Sequence, residues 1–216
     1  MDTVARWTFD AEVATQFVGH ARCHIPAYER VIDLSVRVAR ELCDPRDRIA
    51  EIGCATGHTI QRLEAAGFRD IVGVDASRAM LEACTARHAR LVHSEKFPAN
   101  HGPFRLVLCN WTLHFVPPDE RGAYLHEVRN GLAGDGLLVL SEKTAQSPFN
   151  ERLYHDFKRS RGVSEDEIAA KKRRLVGVLE ALPLHWYLDA LRTLGFESEV
   201  LWAEHGFVTL FARVKR

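Results

Sequence analysis

Apolar residues along this chain fall into two alternating patterns: short unbroken runs, and longer stretches with one apolar position every three or four. The runs are 48–52, 70–74, Leu91-Val92-His93, 104–109, 137–140, Val200-Leu201-Trp202 and 207–211. Runs this short and this apolar predict strands, and the continuous run 104–109 is what covering both faces of a mostly parallel sheet with helices produces. The periodic stretches lie between them. Val13, Phe17 and Val18 are loosely helical, and Val31, Leu34, Val38 and Leu42 give one apolar face after Pro26. A further helix runs to about Ala66 and is stopped by Gly67, and Ser77 caps one carrying Met80, Leu81 and Cys84. Others are expected over 119–132 and 186–194. The short loop around Gly206 makes the last two runs a hairpin, so the last strand should be antiparallel. The expectation is an α/β fold with seven strands, parallel except for the last.

Two segments stand outside this alternation. Residues 1–45 form an N-terminal helical segment. Between residues 148 and 183 charge dominates and helix formers run through 151–160 and 165–182. That stretch reads as a helical insertion over the sheet edge, after strand five. No repeat or boundary divides the chain, so residues 1–216 are expected to form one domain.

Composition narrows the function. With 216 residues and 46% hydrophobic content the chain can bury a full core. Lys+Arg and Asp+Glu balance at 29 each, which argues against broad nucleic-acid binding. No apolar run has the length of a membrane span, and Met1 to Asp10 lacks the signal-peptide pattern. Five cysteines without a CxxC pair suit reduced thiols and a cytoplasmic protein. His20, Cys23 and His24 cluster without a partner motif, so they read as helix-end residues and no metal site is expected.

The chemistry concentrates at 49–58, Ile-Ala-Glu-Ile-Gly-Cys-Ala-Thr-Gly-His. This is a strand, an acidic residue, a glycine turn and a helix start, which together bring bare backbone N–H groups to a ligand. The next strand ends in Asp75, an acidic residue at the distance that suits a ribose diol. A dinucleotide site would carry G-x-G-x-x-G. Here Gly53 and Gly57 are separated by three residues, with Ala55 between them. Glu51 beside the turn would repel a pyrophosphate and attract an ammonium group.

These residues, Glu51 to Gly57 with Val74-Asp75, resemble class I S-adenosylmethionine-dependent methyltransferases. The chain is similar in particular to the carboxy-S-adenosylmethionine synthases of tRNA wobble-uridine modification. The matching stretches are Trp7-Thr8-Phe9-Asp10, Pro26-Ala27-Tyr28, Gly53-Cys54, Asn110-Trp111-Thr112-Leu113-His114-Phe115, Leu140-Ser141-Glu142-Lys143 and His155-Asp156-Phe157-Lys158-Arg159. The resemblance implies a Rossmann-like class I methyltransferase fold with an N-terminal helical lid, and S-adenosylmethionine or its carboxylated derivative as cofactor. It implies that Tyr28 contacts the cofactor from the lid and that Gly53 and Cys54 lie against its methionine part. Asp75 would hold the ribose, Ala76 and Glu95 the adenine, and Asn110 would line the site. It further implies a homodimer and, for the synthase branch, prephenate as carboxyl source.

One position departs from that branch. Where it has an arginine pairing with the extra carboxylate, this chain has Lys172, a point charge in place of a bidentate fork. The reading is therefore a methyltransferase acting on a small molecule, with the carboxy-S-adenosylmethionine synthase as alternative and a non-catalytic cofactor binder as a third. His114 and His155 are the candidates for a catalytic base, with Tyr154 and Glu142 behind them.

Overall fold

A computed structural model describes residues 7–215. The first elements are helices α1 (Ala11–His24) and α2 (Tyr28–Leu42), strand β1 (Ile49–Ile52) and helix α3 (His58–Ala65). β2 (Ile71–Asp75), α4 (Arg78–Glu82), β3 (Arg90–His93) and β4 (Phe104–Asn110) follow. Then come α5 (Arg121–Gly131), β5 (Leu132–Lys143), α6 (Pro148–Ser160), α7 (Glu165–Arg174), α8 (Leu184–Thr193), β6 (Phe196–Glu204) and β7 (Phe207–Val214). The seven strands form one sheet in the order β3-β2-β1-β4-β5-β7-β6. β1 to β5 pair in parallel, and β7 runs antiparallel between β5 and β6.

The unbroken apolar runs have a simple cause. Alternate residues of each central strand enter opposite layers. Ala50, Ile52, Val72, Val74, Val107, Leu138 and Leu140 pack with Leu125 and Val128 of α5 and Tyr187 and Leu191 of α8. Ile49, Ile71, Leu106, Leu108, Leu137 and Val139 pack with Val38 and Ala39 of α2 and Ile60 and Leu63 of α3. Each such Leu, Ile or Val contributes roughly 1.5–3 kcal/mol by leaving water. Two covered faces leave the carboxyl ends of the strands as the open side of the sheet, where ligands of such folds collect.

The elements depart from the sequence reading in several places: β6 starts at Phe196 and not at Val200, and α4 ends at Glu82, short of Cys84. β5 starts at Leu132 and not at Leu137, because buried Leu132 already pairs with Phe104; Gly134-Asp135-Gly136, which reads in the sequence as a turn before the strand, becomes an irregularity inside β5 where the register with β4 slips. α7 ends at Arg174, well short of residue 182. Beyond it the chain is tied to the strand ends: Glu180 N–H donates to the His114 carbonyl, and the fully buried Arg121 guanidinium donates to the carbonyls of Val116, His114 and Glu180. Finally, α6 and α7 do not run along a sheet edge. They close over the strand ends against α1, where Tyr154 Oη donates to the His24 carbonyl at 2.7 Å. Lys171 Nζ lies 3.0 Å from His20 Nε2 in the same contact. Among the described residues no helix is long and apolar enough to cross a membrane.

Candidate active site

The turn after β1 is built from backbone that few side chains tolerate. Gly53 has φ 67°, and a Cβ there would lie 2.1 Å from Thr112 Oγ1, a hydroxyl that donates to the Ile52 carbonyl. Gly57 has φ 80°, and its Cβ would lie 2.4 Å from Cys84 Sγ. Between them Ala55 also adopts φ 46°, and its N–H donates to Asp75 Oδ2 at 2.8 Å. The other oxygen of Asp75 accepts the Ser77 N–H at 2.8 Å. β1 and β2 are thus laced together at their ends by one carboxylate. Burial raises the Asp75 carboxyl above its ordinary value, against the pull of the two N–H donors.

Glu51 lies inside this arrangement and is 4% exposed. Its Oε2 is buried without a hydrogen-bond partner. Burial pushes the carboxyl up to about 8; the Asp75 carboxylate adds to that, while Thr59 and the Ile60 N–H oppose it. A buried carboxylate oxygen left unpaired is costly, and a cationic ligand group would relieve it. Cys54 is buried beside it and its thiol is raised by desolvation, which makes it a wall and not a nucleophile.

A cavity of about 920 Å³ opens above these residues. Glu51, Gly53, Cys54, Ala55, Asp75 and Ala76 line one end, joined by Tyr28, Glu95 and Asn110. Gly57 shapes the turn from outside that wall. The Tyr28 ring stacks between His58 and Trp111, with centroids 5.8 and 5.1 Å away. Trp111 itself has φ 56° and is pinned by its N–H on the Ser141 carbonyl at 2.6 Å. The Asn110 side chain is already engaged, donating to Ser35 Oγ and accepting from Ser141 Oγ at 2.7 Å. Glu95 is exposed at the rim.

The other end of the cavity belongs to the insertion. His114, Tyr154, His155 and Lys172 all line it. Glu142 holds His114 from behind: one oxygen takes the Leu113 N–H at 2.8 Å, and the other takes the His114 N–H at 2.9 Å and lies 2.7 Å from its Nδ1. His155 is half-buried, 4.0 Å from Glu151. Lys172 is 63% exposed and its Nζ donates to Glu151 at 2.6 Å. Trp111, Thr112 and the lysines Lys143, Lys158 and Lys171 also line the cavity, although sequence reasoning gives them no role there. Their only sequence signal is that all but Lys171 stand inside the stretches that match the carboxy-S-adenosylmethionine synthases.

Comparison with known proteins decides the family. Residues 49–136 match the family model described as a methyltransferase domain. Carboxy-S-adenosyl-L-methionine synthase of Aliivibrio salmonicida is 30% identical over 230 residues, covering 98% of this chain and 95% of the relative. The protein of that name from Salmonella paratyphi C is 33% identical over 218 residues, covering 91% and 86%. This chain belongs to the class I S-adenosylmethionine-dependent methyltransferases, on the carboxy-S-adenosyl-L-methionine synthase branch. It is therefore an enzyme of the transferase class, which sets aside the non-catalytic reading. Among solved structures, a plantazolicin methyltransferase in complex with SAH superposes with a TM-score of 0.69 at 9% identity, covering 95% of this chain and 90% of that one. A possible histamine N-methyltransferase of Thermotoga maritima superposes with a TM-score of 0.63 at 20% identity, covering 97% and 99%. These two show the fold. The unpaired Oε2 of Glu51 fits the ammonium of a methionine-derived cofactor, so the residues of this methyltransferase domain suit S-adenosylmethionine.

Proposed function

We propose that this methyltransferase binds S-adenosylmethionine along the ends of β1 and β2 and methylates a small molecule held between that site and the α6–α7 insertion. The observation that carries the reading is the orphaned, buried carboxylate oxygen of Glu51 beside a glycine turn. In this reading the ammonium of the cofactor pairs with Glu51, and the ribose hydroxyls donate to the oxygens of Asp75. Tyr28 packs from α2, Gly53 and Cys54 lie against the methionine part, and Ala76 and Glu95 border the adenine. The cofactor supplies an activated methyl group on a cationic sulfur, so the protein's work is alignment and exclusion of water. α1, α6 and α7 provide that cover.

A base is needed only where the acceptor must lose a proton. Glu142 takes the Nδ1–H of His114, which leaves Nε2 as the accepting nitrogen of a ring that lines the cavity. His114 is therefore the better placed of the two histidines. The test is S-adenosylhomocysteine formation over a panel of small acceptors, read beside mass spectrometry of any ligand that co-purifies. Turnover with no acceptor in the panel, together with a protein that fails to bind S-adenosylhomocysteine, would overturn the reading.

A second reading follows from the relatives' names: synthesis of carboxy-S-adenosyl-L-methionine. Coverage of more than nine-tenths of the chain at 30–33% identity favours it. Against it stands Lys172, whose ammonium is spent on Glu151 at an exposed position. A carboxylated cofactor in the mass spectrum would decide for the synthase, and S-adenosylmethionine or its demethylated product for the methyltransferase.

A further inference from the structure

One carboxylate on α2 ties three helices together beside the cofactor turn. Glu29 Oε1 accepts from the Arg22 guanidinium of α1 at 2.6 Å. Its Oε2 accepts from the Arg62 guanidinium of α3 at 2.5 Å and lies 3.1 Å from His58 Nε2. Burial works against ionisation of Glu29, but the hydrogen bonds from His58 and Arg22 outweigh it and hold the carboxyl below its ordinary value. An ionised carboxylate can only accept, so His58 Nε2 is the nitrogen that donates.

His58 opens α3 directly after Gly57, whose φ of 80° ends the cofactor turn. Its ring lies 5.8 Å from that of Tyr28, with the two planes 10° apart. Trp111 lies 5.1 Å from Tyr28, with planes 29° apart. The three stacked rings join the start of α3, the start of α2 and the loop after β4. Ala27 and Trp111 adopt φ of 53° and 56° to bring two of them into place. Left-handed backbone at a residue with a Cβ is costly and persists where the surroundings over-determine it.

The stack decides what Tyr28 offers a ligand. Rings cover its faces, so it meets the cavity it lines with its edge and hydroxyl, and not as a platform for a base or a cation. Burial raises that hydroxyl above its ordinary value, and Glu51 adds to the rise, which puts it on the Glu51 side of the cavity. Folding alone accounts poorly for the Glu29–His58 pair. The two side chains are 33% and 19% exposed, and a pair within reach of water adds little stability. What the pair does fix is a direction, because a tyrosine ring held from one face only has side-chain torsions free to swing.

We propose that His58 is a positioning residue for the cofactor: anchored by Glu29, it holds the Tyr28 ring against Trp111 so that the hydroxyl faces the methionine part. The inference deepens the proposed function and rests on that reading for the identity of the ligand. Since Glu29 also grips Arg22, the same anchor joins α1, which covers the site, to the start of α3.

Calorimetry with S-adenosylhomocysteine on His58→Ala, Tyr28→Ala and the double variant tests this. His58→Ala should weaken binding by about tenfold or more in the native background but less than about threefold in the Tyr28→Ala background, where no ring remains to be held. His58→Phe, which keeps a stacking ring and loses the anchor, should fall between the native protein and His58→Ala. Arg62→Met removes a different partner of the same carboxylate and should change affinity by less than about threefold. Equal losses from His58→Ala in both backgrounds would mean that His58 serves only the turn itself, and the inference falls. Native affinity in His58→Ala also overturns it. Should His58→Ala fail to fold, His58→Gln, which has no ring, carries the same comparison. Nitration of Tyr28 by tetranitromethane, located by peptide mass, reads the ring with no ligand present. It should run several-fold faster in His58→Ala than in the native protein, and an unchanged rate overturns the inference. If the native protein does not bind S-adenosylhomocysteine, the cofactor reading fails, and the nitration rates alone decide whether His58 holds Tyr28.

Discussion

Asp75 accepts the backbone N–H of Ala55 at 2.8 Å, so the carboxylate at the end of β2 holds the turn at the end of β1. The same carboxylate accepts the Ser77 N–H that opens α4. Two roles therefore meet in one side chain: it fixes a left-handed alanine, and in the proposed function it takes the ribose hydroxyls. Asp75→Ala should weaken S-adenosylhomocysteine binding by roughly 10-fold or more, since a hydrogen bond to a charged group is worth about 1.5–3 kcal/mol. It should also lower stability in urea, because the Ala55 N–H loses its partner. Calorimetry showing native affinity in a folded Asp75→Ala protein would remove Asp75 from the site.

Glu51 presents the opposite balance. Its carboxyl is raised from 4.5 to about 8 in the fold, chiefly by burial. The native state therefore binds the extra proton between those two values, and the unfolded state does not. The stability this group allows is full below 4.5 and declines as pH rises towards about 8. Glu51→Gln removes the titration, so it should flatten the loss of stability with rising pH and raise the melting temperature at pH 8. It should at the same time cut cofactor affinity, because the amide cannot pair with an ammonium. With native Glu51, binding restores the ionised form and releases a proton at pH 7, visible as a buffer-dependent enthalpy. A variant as unstable at pH 8 as the native chain would contradict the assignment.

The chain's architecture was readable from sequence wherever one local cause dominates. Two covered sheet faces produce the unbroken apolar runs of the central strands, while the largely exposed edge strands β3 and β6 showed only as shorter runs. Ser77 was legible as a cap because its hydroxyl competes for backbone N–H groups, and it accepts from Met80 N–H. Tertiary contacts erased other local signals. Gly134-Asp135-Gly136 reads as a turn before the strand, yet Leu132 already pairs with Phe104, so the segment becomes an irregularity within β5. Residues 175–182 are rich in helix formers, yet the buried Arg121 ties the segment to the strand ends. Within the cavity, the glycine turn and Asp75 could be recognised because backbone geometry demands those residue types. Lys143, Lys158 and Lys171, which also line the cavity, could not, since they come from separate elements and each alone looks like a solvated charge.

Lys172 provides a test of the two proposed activities. Its pair with Glu151 is exposed, and exposed pairs contribute about 0–1 kcal/mol. Lys172→Ala should therefore leave the melting temperature within a degree or two. In a methyltransferase it should also leave retention of S-adenosylmethionine or its demethylated product unchanged. In a carboxy-S-adenosyl-L-methionine synthase the carboxylated cofactor should be lost, and Lys172→Arg should strengthen its retention through a bidentate grip. Carboxylated cofactor found in the native protein and lost in Lys172→Ala would overturn the methyltransferase reading.

His114 and His155 separate by their supports. The ring of His114 is buried and fixed by Glu142, an acceptor that sets which nitrogen carries the proton. His155 is half-buried near Glu151, and burial, reinforced by Lys158, lowers its pKa from the ordinary 6.5. A base needs a fixed accepting nitrogen near the acceptor, and only His114 has a partner that fixes one. With an acceptor that must lose a proton, His114→Gln should lower kcat by about 10²–10⁴-fold, the usual worth of a positioned base. The affinity for S-adenosylhomocysteine should stay close to native. Glu142→Gln should act through the ring: Nδ1 can then face a donor, so the pH profile of kcat shifts while cofactor affinity holds. His155→Gln should change kcat less than tenfold. If His155→Gln abolishes turnover while His114→Gln retains it, the base lies on α6, and His114 with Glu142 serves only to anchor the strand ends.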